Sequence, residues 1–141
     1  MPLKTLSAKN LIVKKSLLPQ AGKGLFTKIF INKGALIIQY KGKITSWKDA
    51  DHDDGKNSYI YYVNKNHVID ASKNKKFLAR YANDAAGFKK LKTIKNNSTY
   101  IIDENKRVYI RAIKNILPGS EILVGYGKEY WEVQKMNGVI Y

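Results

Sequence analysis

The sequence predicts a single, mostly β domain, and three observations predict it. Short runs rich in β-branched and aromatic residues recur along the chain, most of them bounded by glycine, proline or asparagine. Helical periodicity is weak and confined to two stretches. The 141 residues suffice for one core and are too few for two. No internal repeat and no Pro/Gly/Ser-rich linker divides them.

Leu11-Ile12-Val13 reads as a short apolar strand, and Leu25 to Ile31 follows a glycine-rich turn. Ala35 to Ile44 gives the strongest strand signal, with Tyr40 and Gly42 inside it. Residues two apart on a strand face the same side. A glycine there weakens the strand unless something packs against it. Tyr59 to Val63 is β-branched and aromatic, and His67 to Ala71 pairs with it through the turn Asn64-Lys65-Asn66. Lys75 to Ala82 places Phe77, Leu78, Tyr81 and Ala82 on one helical face. Arg107 to Ile113 alternates before the Pro118-Gly119 turn, and Ile122-Leu123-Val124 is a last short strand. Lys128 to Met136 reads as a short C-terminal helix.

Composition narrows the chemistry. There is no cysteine, hence no disulfide, thiolate metal site or cysteine nucleophile. Two histidines, His52 and His67, cannot build a histidine-rich metal site, so no metal is expected. No apolar run approaches the ~18 residues of a membrane span. Met1 to Lys15 lacks the apolar core of a secretory signal. The expected compartment is therefore the cytosol, or a host nucleus to which the product is delivered, with no membrane partner. Lys and Arg number 26 against 11 acids, a net +15. That balance suits an anionic partner or reflects lysine as the default surface residue. Asp49, Asp51, Asp53 and Asp54, over a third of the 11 acids, lie in the loop Trp47 to Lys56. They form a solvated loop, or a receptor for a lysine-rich peptide.

Four motifs carry chemistry, and each has an ordinary reading beside the functional one. Ala21-Gly22-Lys23-Gly24-Leu25-Phe26 lets backbone approach a ligand closely, or is a plain hairpin turn. It opens no βαβ unit, so a dinucleotide fold is not indicated. Gln39-Tyr40-Lys41-Gly42-Lys43-Ile44 offers a tyrosine on a strand, to a site or to the core. Arg80-Tyr81-Ala82-Asn83-Asp84 ends in an asparagine that both donates and accepts, for an amino-acid-like ligand or as a helix C-cap. Pro118-Gly119-Ser120-Glu121-Ile122-Leu123-Val124-Gly125-Tyr126-Gly127 holds a tyrosine between two glycines, able to reach into a cleft or to pack in a turn.

In this order, G-x-G-L-F, Y-x-G, R-[FY]-x-N and P-G-x-E-[IL]-x-x-x-Y-G, the motifs resemble the SET-domain protein lysine methyltransferases. In size the chain looks closest to the minimal viral and bacterial members. The likeness covers about residues 10–131 of one domain, 1–141, with 132–141 as a C-terminal segment. The family's fold is a set of small curled β-sheets with few short helices, whose C-terminal segment threads a loop as a pseudoknot. The resemblance implies that Arg80–Asp84 meets the Tyr126 segment there.

The implied reaction moves a methyl group from S-adenosylmethionine to the side-chain amine of a protein lysine. Tyr126 would be the catalytic tyrosine, with Tyr40 and Tyr100 lining the lysine channel, Tyr100 from Asn97-Ser98-Thr99-Tyr100. Ala21, Gly22, Lys23, Gly24, Arg80, Asn83, Asp84 and Tyr126 would contact the cofactor, and Trp131 or Tyr130 would stack on its adenine. Val124, two residues before Tyr126, leaves room that Tyr100 refills, which implies mono- or dimethylation. Asp84 stands where the family has histidine, the family's cysteine and proline are missing, and Lys89–Lys95 looks like an insertion.

A lysine-rich substrate protein, histone or histone-like, is the implied partner. A contrasting reading is a small basic β domain that binds nucleic acid, or a weak relative kept for binding. Contact with nucleic acid or nucleoprotein would fall on Lys89–Lys95, and a homodimer contact on Val139-Ile140-Tyr141.

Overall fold

The computed structural model describes residues 3–50, 59–85 and 94–125. They build three small antiparallel sheets. The first joins β1 (Leu11–Lys15), β2 (Lys23–Thr27) and β9 (Glu121–Ile122) in the order β1-β2-β9. The second joins β3 (Leu36–Tyr40), β8 (Val108–Ala112) and β7 (Ser98–Ile102) in the order β3-β8-β7. The third joins β4 (Lys43–Thr45), β6 (His67–Asp70) and β5 (Ile60–Asn64) in the order β4-β6-β5. The described helical elements are two single turns of 3-10 helix, Ala8–Asn10 and Leu78–Tyr81. Leu25, Ile37, Ile69, Val108, Ile110, Ile122 and Val124 are all buried in one shared core. Strand β8 is buried on both faces, because Tyr109 between Val108 and Ile110 is also fully enclosed. Its hydroxyl stays hydrogen-bonded, accepting from Leu3 N at 3.0 Å and donating to Asp103 Oδ2 at 3.3 Å.

The pairing expected across Asn64-Lys65-Asn66 is present: β5 and β6 run antiparallel, with Asn64 opposite His67. The strand expected over Ala35–Ile44 is two strands instead, in different sheets. The reason lies at Gly42, where a side chain would overlap the backbone of Asp70 and Ala71. The chain therefore passes directly over β6 and changes sheet, and Tyr40 and Gly42 share no strand.

The helix expected over Lys75–Ala82 shrinks to Leu78–Tyr81, with extended backbone at Phe77 and Ala82. Residues 82–84 are needed in extended form, because Asn83 forms a parallel bridge with Leu123. Strand β7 is not among the expected strands, although Thr99-Tyr100-Ile101-Ile102 is a β-branched and aromatic run. It matches β8 over five residue pairs from Ser98↔Ala112 to Ile102↔Val108. The expected helix over 128–136 lies outside the described residues, as does the course of 126–141 that a pseudoknot would require.

Candidate active site

The stretch Glu121–Gly125 is where the distant motifs meet. Gly119, with φ +85, turns the chain after Pro118. Its N–H donates to Thr27 O at 2.7 Å, and Thr27 N donates to Ser120 O at 3.0 Å. This zips Glu121-Ile122 onto β2. Leu123 and Val124 then bridge in parallel to Asn83 and Ser98, one on each side. Val124 N donates to Asn83 O at 2.8 Å, while Asn97 N and Ser98 N reach Leu123 O at 2.9 and 3.0 Å. The Arg80–Asp84 segment and the segment leading to position 126 thus lie side by side.

Glu121 is 5% exposed, and its carboxylate joins three parts of the chain. Oε2 accepts from Ser16 Oγ at 2.6 Å and from Asn83 Nδ2 at 3.4 Å, and Oε1 accepts from Leu17 N at 2.9 Å. A buried carboxylate demands such donors, since burying it bare would be costly. Its position also explains Gly24, where any Cβ would collide with the Glu121 carboxylate.

Ser16 begins a tight loop closed by Ser16 N to Gly22 O at 2.8 Å and Leu18 N to Ser16 Oγ at 3.0 Å. Gln20 and Gly22 take positive φ, 62° and 69°, which bends Ala21-Gly22-Lys23 back toward β2. Asn83 Nδ2 donates to Lys23 O at 3.0 Å, so the asparagine braces this loop directly. Asn83 Oδ1 accepts from no donor among the described residues.

A pair of asparagines, Asn96 and Asn97, fastens the other side. Asn97 Nδ2 donates to Glu121 O at 2.9 Å, and its Oδ1 accepts from Leu123 N at 3.0 Å. Asn96 Nδ2 donates to Asp84 Oδ1 at 2.7 Å, and its Oδ1 accepts from Ala85 N at 2.8 Å. Asp84 is only 2% exposed, so its carboxylate is held inside this clamp. Gly125 lies against Asn96, whose amide nitrogen is 3.7 Å from a Cβ built there.

Beyond Ser98, β7 leads to a cluster of rings. The Tyr61 and Tyr100 centroids are 4.9 Å apart at 64°. Tyr40 stands 6.0 Å from each of them. These are tilted and edge-on contacts of the kind aromatic quadrupoles favour. Tyr40 OH donates to Tyr59 O at 2.7 Å, which fixes its direction. Burial raises the Tyr61 hydroxyl above its ordinary 10.0, so it stays protonated. Arg80 lies behind this group, its guanidinium 4.0 Å from the Tyr59 ring centroid. It donates to Ala71 O at 2.8 Å and to Ser72 O at 3.0 Å.

The structure therefore brings Ala21, Gly22, Lys23, Gly24 and Asn83 together, and sets Tyr40 beside Tyr100. Asp84 adjoins Asn83 with its side chain turned into the clamp, and Arg80 supports Tyr59. Tyr126, Tyr130, Trp131 and residues 89–93 of the basic tract lie outside the described residues. Sequence reasoning gives no role to Glu121, Asn96 or Tyr61. Tyr61 has a legible signal, since a strand's period of two puts it on one side with Tyr59. Glu121 stands inside the Pro118–Gly127 motif but with nothing to mark its partners, and Asn96 has no signal.

Comparison with known proteins fits this layout. The SET domain family model matches residues 22–127. Histone-lysine N-methyltransferase set-1 of Caenorhabditis elegans is 28% identical over 116 residues, 75% of this chain and 46% of that protein. Histone-lysine N-methyltransferase set-17 of the same organism is 31% identical over 136 residues, 89% of this chain and 44% of that protein. The chain thus spans under half the length of either relative. The methyltransferase domain of human PR domain-containing protein 2 superposes with a TM-score of 0.62 at 25% identity, over 84% of this chain and 78% of that one.

Proposed function

Because this chain belongs to the SET domain family, we propose that it transfers a methyl group from S-adenosylmethionine to the side-chain amine of a protein lysine. A histone or similarly basic protein is the proposed substrate class, since both curated relatives are histone-lysine methyltransferases by name. The observation that carries the reading is the Glu121 junction. One carboxylate ties the Ser16–Gly24 loop to Asn83. The residues that follow it run on between Asn83 and Ser98 toward Tyr126.

The described residues suit the cofactor's polar end. Asn83 Oδ1 accepts from no donor among the described residues and lies beside a loop whose residues Gly22 and Lys23 are exposed. Asn83 would accept from the ammonium group, and the loop backbone would meet the carboxylate. When bound, S-adenosylmethionine supplies an electrophilic methyl group and a positive sulfonium.

On the substrate side, a lysine must lose its proton to attack. With a reference pKa of about 10.4, that costs roughly 4–5 kcal/mol at pH 7. Tyr40, Tyr61 and Tyr100 offer a wall of rings that disfavours the charged amine by desolvation. Tyr40, its hydroxyl donating to Tyr59 O, would line the lysine channel and orient the amine. Tyr126 would complete the channel, and mono- or dimethylation is the proposed product degree. Holding the amine in line with the methyl group supplies much of the rate.

Calorimetry with S-adenosylmethionine tests the reading. The wild type should bind. Asn83→Ala should weaken binding about tenfold, about 1.4 kcal/mol for removing a hydrogen bond to a charged group. Tyr126→Phe should keep binding while losing transfer of labelled methyl to histone. No binding by the wild type would sink the proposal.

A further inference from the structure

The end of the β1-β2-β9 sheet away from the Ala21–Gly24 loop carries a surface that methyl transfer does not use. It begins where β2 ends at Thr27, about 13 Å along the strand from Lys23. There the chain passes through Lys28 to Lys33 and returns as Lys114 to Leu117. Ile31 and Ile116 form an antiparallel bridge, with N–H···O bonds of 2.9 Å in both directions. Lys33 N donates to Asn115 Oδ1, also at 2.9 Å.

The bridged isoleucines point inward, at 1% and 2% exposure. Side chains alternate along extended chain, so the flanking pairs Phe30/Leu117 and Asn32/Asn115 point outward. Phe30 is 44% exposed and Leu117 64%. Lys28, Lys33 and Lys114 are exposed around them. Lys9, also exposed, adjoins Asn10, whose carbonyl accepts from Lys28 N at 2.8 Å. Neither Lys28–Gly34 nor Ile113–Ser120 contains an acid.

The combination selects among partners. A second copy meeting the same face would set these lysines against their own counterparts. A lipid surface would have to take in the Asn32 and Asn115 amides beside the apolar pair, at a desolvation cost. Duplex DNA accommodates all three kinds of side chain. Lysines meet phosphates, amides meet sugars and the degenerate acceptors of the minor groove, and an apolar pair wedges at a base step.

We propose that Phe30, Leu117, Asn32 and Asn115, ringed by Lys9, Lys28, Lys33 and Lys114, bind duplex DNA from the minor groove. The inference is independent of methyl transfer and stands or falls without it.

The test is fluorescence anisotropy of the full chain on a labelled 20-base-pair duplex with central TA steps, across a salt series, with end-to-end energy transfer to read bending. Lys28→Glu/Lys33→Glu/Lys114→Glu should lower affinity more than about tenfold and flatten the log–log salt slope by about 2.7, roughly 0.9 for each phosphate no longer neutralised. Phe30→Ser/Leu117→Ser should keep the slope yet bind several-fold more weakly and abolish bending. All five substitutions fall on exposed side chains, and near-ultraviolet circular dichroism checks that each variant is folded. A control with the same charge change elsewhere, Lys48→Glu/Lys65→Glu/Lys106→Glu, should retain most affinity.

An equal fall in affinity for the control overturns the proposal in favour of general stickiness from net charge. Unchanged bending by the Phe30→Ser/Leu117→Ser variant overturns the wedge. Binding to phosphatidylserine–phosphatidylcholine vesicles, dependent on Phe30 and in preference to the duplex, replaces DNA with a membrane.

Discussion

Glu121 and Tyr61 sit in two neighbouring parts of the molecule that are held together differently. Around Glu121 the contacts are directional: carboxylate and amide groups meet named donors and acceptors between 2.6 and 3.4 Å. Around Tyr61 the contacts are between rings at 4.9 to 6.0 Å, with few polar atoms involved. A buried polar junction fails when one partner is removed, because the others are left unsatisfied. A ring cluster fails by degrees, because its buried area and edge-on packing can be given up piecemeal. The first fixes where three distant segments meet. The second shapes a surface and tolerates adjustment.

Glu121→Ala should therefore be the most damaging single change. It strips acceptors from Ser16 Oγ and Leu17 N, and one from Asn83 Nδ2. Ser16 is buried, and stranding its donor costs about 1–3 kcal/mol; Leu17 is exposed and Asn83 Nδ2 keeps Lys23 O, so they add less. The total expected is about 3 kcal/mol, read as a fall in thermal midpoint of roughly 10 °C. Affinity for S-adenosylmethionine should fall with it, because the Ser16–Gly24 loop loses its tether. A variant with wild-type melting behaviour would show that the junction is replaceable and dissolve the contrast.

Asn96→Ala sharpens the comparison from within the polar side. It removes the bonds to Asp84 Oδ1 and Ala85 N but touches neither Glu121 nor Asn83. About 1–3 kcal/mol of stability should go. Asp84→Asn is the matching change on the other side of that bond. Denaturant unfolding of the two single variants and the double variant gives their coupling. Independent effects would mean that the clamp is not a unit.

The same contrast explains what can be read from the sequence alone. Strand identity is legible because β-branched and aromatic runs advertise themselves. Tyr40 and Tyr100 can be placed together because a motif order points to both. The polar junction is opaque, because a hydrogen bond between residues 16 and 121 leaves no periodicity in the chain. Asp84 shows the same limit. In the sequence it is a departure from a histidine pattern, while in space it is half of a clamp with Asn96. Gly42 marks a weak point in a strand. Only the crossing of Asp70–Ala71 shows why no strand runs through it.

Tyr61→Phe is the mildest change and the finest probe of the ring side. The substitution keeps the edge contact with Tyr100 and removes only a hydroxyl, so the destabilisation at pH 7 should stay below about 0.5 kcal/mol. The effect should instead appear in alkali. Burial raises the folded-state pKa of Tyr61 above its unfolded value of 10.0. The folded state thus holds the neutral form more tightly than the unfolded chain does. Its stability contribution is intact below pH 10 and is lost as pH rises through the folded value. Phenylalanine cannot ionise, so the variant should lose less stability than wild type between pH 9 and 11. If the two alkaline unfolding curves fall together, the Tyr61 hydroxyl is solvated. The ring cluster would then be a more open surface than its centroid distances imply.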